Sequence, residues 1–203
     1  MCRIKICGLS REQDIEAVNM ALPDYAGLVF AESKRQVSRE QAKLLRSLLD
    51  ERILSVGVFV NADLHEVARL CQEEIIDLIQ LHGEEDALYM TALRQKVANP
   101  IIKAVRVQST KQILEVQKMP CDYLLLDNFD KGVYGGSGQS FDHSLIPKLT
   151  KPFFLAGGLN TSNIAAAAEA RPYCLDISSG VETGGFKDKD KIAAIVSIVR
   201  GES

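Results

Sequence analysis

IIKAVRVQSTKQILEVQKMPCDYLLLDN, residues 101–128, holds one complete structural unit. Two short apolar runs, IIKAVRV (101–107) and DYLLLDN (122–128), flank a more polar segment. Runs so rich in Ile, Val and Leu predict strands. Their near-continuous apolar character suits strands covered on both faces, as parallel strands are. The segment between them opens with STKQ (109–112). That is a capping box, in which a hydroxyl and an amide satisfy free backbone N–H groups at a helix start. The unit therefore reads strand, helix, strand.

Outward from it the pattern repeats. The other runs are RIKICGL (3–9), YAGLVF (25–30), ILSVGVFV (53–60), IIDLIQLHG (75–83), PFFLAGG (152–158) and CLDISSG (174–180). Two more capping boxes, both SREQ, lie at 10–13 and 38–41. Ala42, Leu44, Leu45, Leu48 and Leu49 recur at helical spacing, as do Leu64, Val67, Ala68 and Cys71 after Asp63. Segments 85–97, 142–149, 161–170 and 188–199 supply the remaining helices. Strand–helix alternation predicts a parallel α/β sheet, and eight units favour closure into a (β/α)₈ TIM barrel. The alternative is an open flavodoxin-like or Rossmann sheet. Against it, the first strand is followed by Cys7-Gly8-Leu9-Ser10, with one glycine in place of a dinucleotide-binding fingerprint. With no Pro/Ser-rich linker, a single domain over residues 1–203 is expected.

Composition narrows the function. Hydrophobic residues are 46% and charged residues 25% of the chain, a globular balance and not a disordered one. A net charge of −3 argues against a general nucleic-acid binder. No apolar run reaches the length of a bilayer span, and the N-terminus lacks a signal-peptide layout, so a cytoplasmic protein with no membrane partner is expected. Cys2, Cys7, Cys71, Cys121 and Cys174 are odd in number and scattered, which fits no disulfide framework. His65, His82 and His143 are equally dispersed, and no metal site is expected. Eight units of about 25 residues leave no room for a large insertion, so function is expected in the short strand-end loops.

Barrel active sites form at the carboxyl ends of the strands. The polar residues there are Lys5 and Cys7, the Ser33-Lys34-Arg35 turn, Asn61, His82, Lys103 and Arg106, Asp127, Gly157-Gly158, and Ser178-Ser179-Gly180. Glycines at the ends of strands seven and eight let backbone N–H groups approach a phosphate, and a following helix N-terminus adds favourable dipole charge. Turn-making alone is the plainer reading of one such loop. Two in succession point to phosphate. Gly135-Gly136-Ser137-Gly138 reads as a lid or as a plain connector. Asp127 ends an apolar run, as a general acid or as a cap on a neighbouring backbone N–H. Cys7 is a base if nearby charge lowers its pKa, and Lys5, two residues earlier, points to the same side of the strand. Without that frame it is a buried apolar cysteine. Arg35 suits a two-point clamp on a carboxylate, or is a solvated arginine. His82 touches ligand or satisfies a loop carbonyl.

Taken together, KICGL (5–9), SKRQV (33–37), VGVFVN (56–61), QLHGEE (80–85), IKAV (102–105), LLLD (124–127), YGGSGQSFD (134–142), AGGLN (156–160) and SSGVET (178–183) carry a resemblance. The chain resembles the phosphoribosylanthranilate isomerase family over almost its whole length. The resemblance implies an Amadori rearrangement of a phosphorylated aminosugar in tryptophan biosynthesis, with no cofactor. It implies Cys7 as general base, Asp127 as general acid and Arg35 as holder of the anthranilate carboxylate. Gly157, Gly158, Ser179 and Gly180 would hold the phosphate, with Lys5, His82, Gly136, Ser137 and Asp176 as further candidate substrate contacts. The chain departs from the family at Ala31-Glu32, where an aromatic–Pro pair is common, at Thr161-Ser162, where Pro-Glu is frequent, and at His143, often Trp. The rivals are a related histidine-pathway isomerase or a bifunctional version serving both pathways, a family that uses an aspartate where this chain has Cys7, and a non-catalytic phosphosugar-binding barrel, which would lack the acid–base pair. Nothing in the sequence selects a protein partner.

Overall fold

Each predicted apolar run forms a strand. In the computed structural model, which describes residues 2–128 and 143–201, these are β1 (Arg3–Cys7), β2 (Tyr25–Val29), β3 (Leu54–Phe59), β4 (Leu78–Leu81), β5 (Ile101–Val107), β6 (Tyr123–Asn128), β7 (Phe153–Leu155) and β8 (Cys174–Ile177). All pair in parallel in chain order, and β8 closes on β1. The helices are α1 (Glu12–Ala21), α2 (Arg39–Leu48), α3 (Leu64–Gln72), α4 (Ala87–Arg94), α5 (Thr110–Val116), α6 (Ile164–Ala168) and α7 (Lys189–Arg200). No helix among the described residues is long and apolar enough to cross a membrane.

Local chemistry explains most helix starts. The hydroxyls of Ser38 and Ser109 accept the backbone N–H of Gln41 (3.1 Å) and Gln112 (3.3 Å), as the capping boxes predict. Asp63 and Asp188 cap α3 and α7 in the same way. The first box differs. Asp14, not Gln13, reaches back to the N–H groups of Ser10 (2.9 Å) and Arg11 (3.0 Å). A carboxylate is the stronger acceptor, and the Arg11 guanidinium holds it in place.

Two helix expectations are corrected. Residues 143–149 hold only a 3₁₀ turn, His143–Leu145. Pro147 lacks an N–H and drives the residue before it out of the helical region. The expected 161–170 helix shrinks to α6, because Asn160 and Asn163 tie residues 160–163 into a turn. A short hairpin the sequence did not suggest, β9 (Glu182–Thr183) and β10 (Phe186–Lys187), precedes α7.

Side chains alternate along each strand, so one set meets the helices and the other fills the barrel. The register stacks the inward set in layers of four taken from alternate strands. Tyr25, Leu78, Tyr123 and Cys174 lie at the amino-terminal end, followed by Lys5, Val56, Ile102 and Phe154. Next come Gly27, Gln80, Leu125 and Asp176, and then Cys7, Val58, Ala104 and Ala156 under the mouth. The outward set forms the larger apolar core with the helices, including Ile4, Leu28, Ile79 and Leu126.

Candidate active site

The strand ends surround a cavity of about 480 Å³ whose wall includes Cys7, Arg35, Gln80, His82, Asp127, Gly157, Gly158, Asp176 and Ser179. Eight of the sequence-predicted site residues thus meet in one place, joined by Gln80, which the sequence reading missed. Gly136 and Ser137 lie outside the described residues.

Cys7 ends β1 with its thiol against Gly27 of β2. A Cβ at position 27 would lie 2.7 Å from Cys7 Sγ, so that glycine makes the room the thiol occupies. Below it, Lys5 Nζ donates to both carboxylate oxygens of Asp176, at 2.9 and 2.8 Å. Lys5 is fully buried and does not line the cavity, which removes it as a direct substrate contact. The expected lowering of the Cys7 pKa is also corrected. Burial pushes the thiol above 9.0, and the opposing pull of Lys5 is smaller and offset in part by Asp176. A lysine already paired with a carboxylate exerts only part of its charge on a neighbour.

Asp127 stands on β6. Its Oδ1 accepts the backbone N–H of Asn128 at 2.8 Å, and its Oδ2 lies 3.4 Å from His82 Nε2. One oxygen therefore does the capping considered from sequence, while the other faces His82. Gly157, with φ of +94°, packs beside it: a Cβ there would lie 3.2 Å from Oδ1. Behind His82, Gln80 Nε2 lies 2.9 Å from the imidazole Nδ1.

Arg35 is not a solvated arginine. Its Nε and Nη2 donate to the two oxygens of Glu182, at 2.7 and 2.8 Å. The stem lies over Gly8 (φ +83°), where a Cβ would meet Arg35 Cδ at 2.4 Å. Lys187 Nζ holds Glu182 from the other side at 2.7 Å and donates to Ser178 O at 2.9 Å. Burial alone would raise the Glu182 carboxyl, but the hydrogen bonds of Arg35 and Lys187 outweigh it and hold the pKa below 4.5. Glu182 takes one edge of the guanidinium. The other edge, with Nη1, has no partner among the described residues.

Gly157, Gly158 and Ser179 line the cavity, and Gly180 does not. A Cβ at Gly180 would sit 1.8 Å from Leu159 O, so this glycine lets the β8 loop press on the β7 loop. α6 begins at Ile164, well past Gly158, so the end of β7 leads into a loop and not directly into a helix N-terminus. The sequence reading missed Gln80, Gly27, Glu182 and Lys187. Glu182 lay inside a quoted motif, but its partner Arg35 is 147 positions away.

A family model described as N-(5'phosphoribosyl)anthranilate (PRA) isomerase matches residues 4–198. An N-(5'-phosphoribosyl)anthranilate isomerase of Endomicrobium trichonymphae is 49% identical over 98% of this chain and 99% of its own. The crystal structure of phosphoribosyl anthranilate isomerase from Thermus thermophilus superposes with a TM-score of 0.86 at 30% identity, covering 99% of this chain and 100% of the other. Another isomerase structure, in complex with reduced 1-(o-carboxyphenylamino)-1-deoxyribulose 5-phosphate, has a TM-score of 0.80 at 30% identity, with coverage of 99% and 100%. The motifs, the barrel and the relatives agree, and the chain belongs to the phosphoribosylanthranilate isomerase family.

Proposed function

We propose that the chain converts N-(5-phosphoribosyl)anthranilate into 1-(2-carboxyphenylamino)-1-deoxyribulose 5-phosphate, the isomerase step of tryptophan biosynthesis, with Cys7 as general base and Asp127 as general acid. The carrying observation is that Cys7, Asp127 and Arg35 line one cavity with Gly157, Gly158 and Ser179. Its contents match a substrate with a phosphate at one end and an aryl carboxylate at the other.

Opening the furanose needs a proton on the ring oxygen, which Asp127 delivers. The C1 carbon then carries an iminium, which acidifies the hydrogen on C2. The Cys7 thiolate removes that hydrogen, and the enol that forms tautomerises to the ketose. One acid and one base complete the sequence. The free edge of Arg35 takes the anthranilate carboxylate in a fork, with Glu182 holding the opposite edge. N–H groups of the β7 and β8 loops take the phosphate. The solved relative bound to a reduced product analogue supports a ligand of this chemistry.

A fluorescence assay following loss of phosphoribosylanthranilate tests the reading, with the histidine-pathway substrate run beside it. Turnover of the first substrate alone is expected. Turnover of neither would sink the proposal, and turnover of the second alone would move the chain to the rival isomerase. A soak with inorganic phosphate is expected to place the ion against Gly158 and Ser179, and an ion elsewhere would count against that end of the site.

A further inference from the structure

We infer that Gln80 serves the general acid in two ways: its amide N–H fixes the tautomer of His82, and its carbonyl oxygen accepts a sugar hydroxyl of the substrate. The inference rests on the isomerase reading above.

Gln80 is 1% exposed, on β4, in the layer directly beneath Cys7. Its Nε2 lies 2.9 Å from His82 Nδ1. An amide nitrogen only donates, so His82 Nδ1 must accept, and the imidazole hydrogen sits on Nε2. The Nε2 atom lies 3.4 Å from Asp127 Oδ2, near enough for a small rotation to bring that hydrogen onto the carboxyl. A protonated carboxyl keeps acceptor capacity beside its O–H. Asp127 can therefore take the His82 N–H on one lone pair while its own proton points at the substrate. With the opposite tautomer, His82 Nε2 would present a lone pair and capture that proton. Gln80 thus acts as a positioning residue, keeping the imidazole from competing with the ring oxygen for the acid's hydrogen.

The other end of the amide carries the second observation. Gln80 Oε1 is buried and has no hydrogen-bond partner among the described residues, while the side chain lines the cavity. A buried carbonyl left unpaired is costly, and a ligand donor that reaches it recovers the hydrogen bond. The phosphate and carboxylate oxygens of the substrate are acceptors, and the anilino N–H sits ortho to the carboxylate, where it is bonded internally. The hydroxyl-bearing sugar chain, held between those two groups and above Gln80, has donors to offer.

The test has two readouts besides turnover. Ring nitrogen-15 NMR of the wild-type protein, with His82→Gln identifying the His82 signals, is expected to show hydrogen on Nε2. A hydrogen on Nδ1 would overturn the inference with no Gln80 variant needed. Affinity for the reduced product analogue is then compared in wild type, Gln80→Met and Gln80→Glu. A loss of about tenfold is expected in Gln80→Met, the scale of one buried hydrogen bond. Gln80→Glu, which can only accept from Nδ1, is expected to move the hydrogen there and to lower kcat more than it raises KM. Unchanged analogue affinity in Gln80→Met, or an unmoved tautomer in Gln80→Glu, would refute the corresponding role. Wild-type turnover is measured alongside: its absence sinks the isomerase reading, whereas turnover with the wrong tautomer sinks this inference alone.

Discussion

At the amino-terminal end of the barrel, Tyr25, Tyr123, Phe154 and Tyr173 pack ring against ring, with centroids 5.1 to 5.7 Å apart. Arg3 lies over Tyr173 and bonds the Tyr25 hydroxyl at 2.7 Å. At the carboxyl end the interior turns polar. Lys5 pairs with Asp176, Arg35 and Lys187 share Glu182, and Gln80 keeps an unpartnered oxygen. The first end satisfies its groups internally and fills its space with rings. The second end leaves acceptors, a guanidinium edge and loop N–H groups facing a cavity. The contrast shows where this barrel derives stability and where it gives some up for binding.

The sharpest way to break the contrast is at the mouth. Cys7→Ala and Asp127→Asn are each expected to lower kcat by about 100- to 10,000-fold, the range of general acid–base catalysis, with the melting temperature little changed. A near-native rate in either variant would remove its assigned role. Because burial raises the Cys7 pKa above 9.0, the rate at which iodoacetamide alkylates Cys7 in the ligand-free protein, read against Cys7→Ala, is expected to be still climbing at that pH. A plateau reached near neutrality would show that the thiol is activated in the free protein.

The opposite result is expected below. Phe154→Ala should cost about 3–5 kcal/mol of stability, read by denaturant unfolding, because the cavity it leaves is walled by rings that relax only in part. Turnover per folded molecule should hold, and loss of activity at full stability would blur the distinction between the ends.

Gly27→Ala tests the join between them. The new methyl would sit 2.7 Å from Cys7 Sγ and 3.0 Å from its Cα. A displaced base is expected to lower kcat by about 100-fold, the scale of an ångström-sized misplacement. Native kinetics would mean that the barrel yields there more easily than its packing implies.

The smallest expected effect is at Glu182. Glu182→Gln leaves the Arg35 fork without its charged partner and should raise KM by about tenfold with kcat held, the worth of a charge-assisted hydrogen bond. A fall in KM would mean instead that Glu182 competes with the substrate. The wild-type pH dependence follows from sign. The Glu182 pKa is lowered in the fold, so its contribution is full above the ordinary 4.5 and is lost as pH falls through the lowered value. The arginine clamp should therefore persist into moderately acid solution.

Much of this was readable along the chain. The eight strands were legible because parallel strands buried on both faces need largely apolar runs, and FFL or YLLLD is little else. Cys7, Asp127 and Gly157-Gly158 were legible because each ends such a run, where a barrel opens. The helix expected over 142–149 fails at Pro147, whose missing N–H leaves only the 3₁₀ turn before it. Lys5 was rightly placed beside Cys7, but burial of the thiol outweighs its pull and reversed the expected direction of the shift, and the Asp176 carboxylate that also opposes Lys5 lies 171 positions away.

The sequence by itself determined the strand order, the helix caps and the set of residues brought to the mouth, because these follow from hydrogen bonding and burial within a few residues of each position. Only the tertiary structure decided how those residues are charged and aimed. Barrel closure sets β1 beside β8 and brings the Glu182 hairpin onto Arg35. A pKa, a tautomer or a free guanidinium edge depends on neighbours a few ångströms away in space, whatever their separation along the chain.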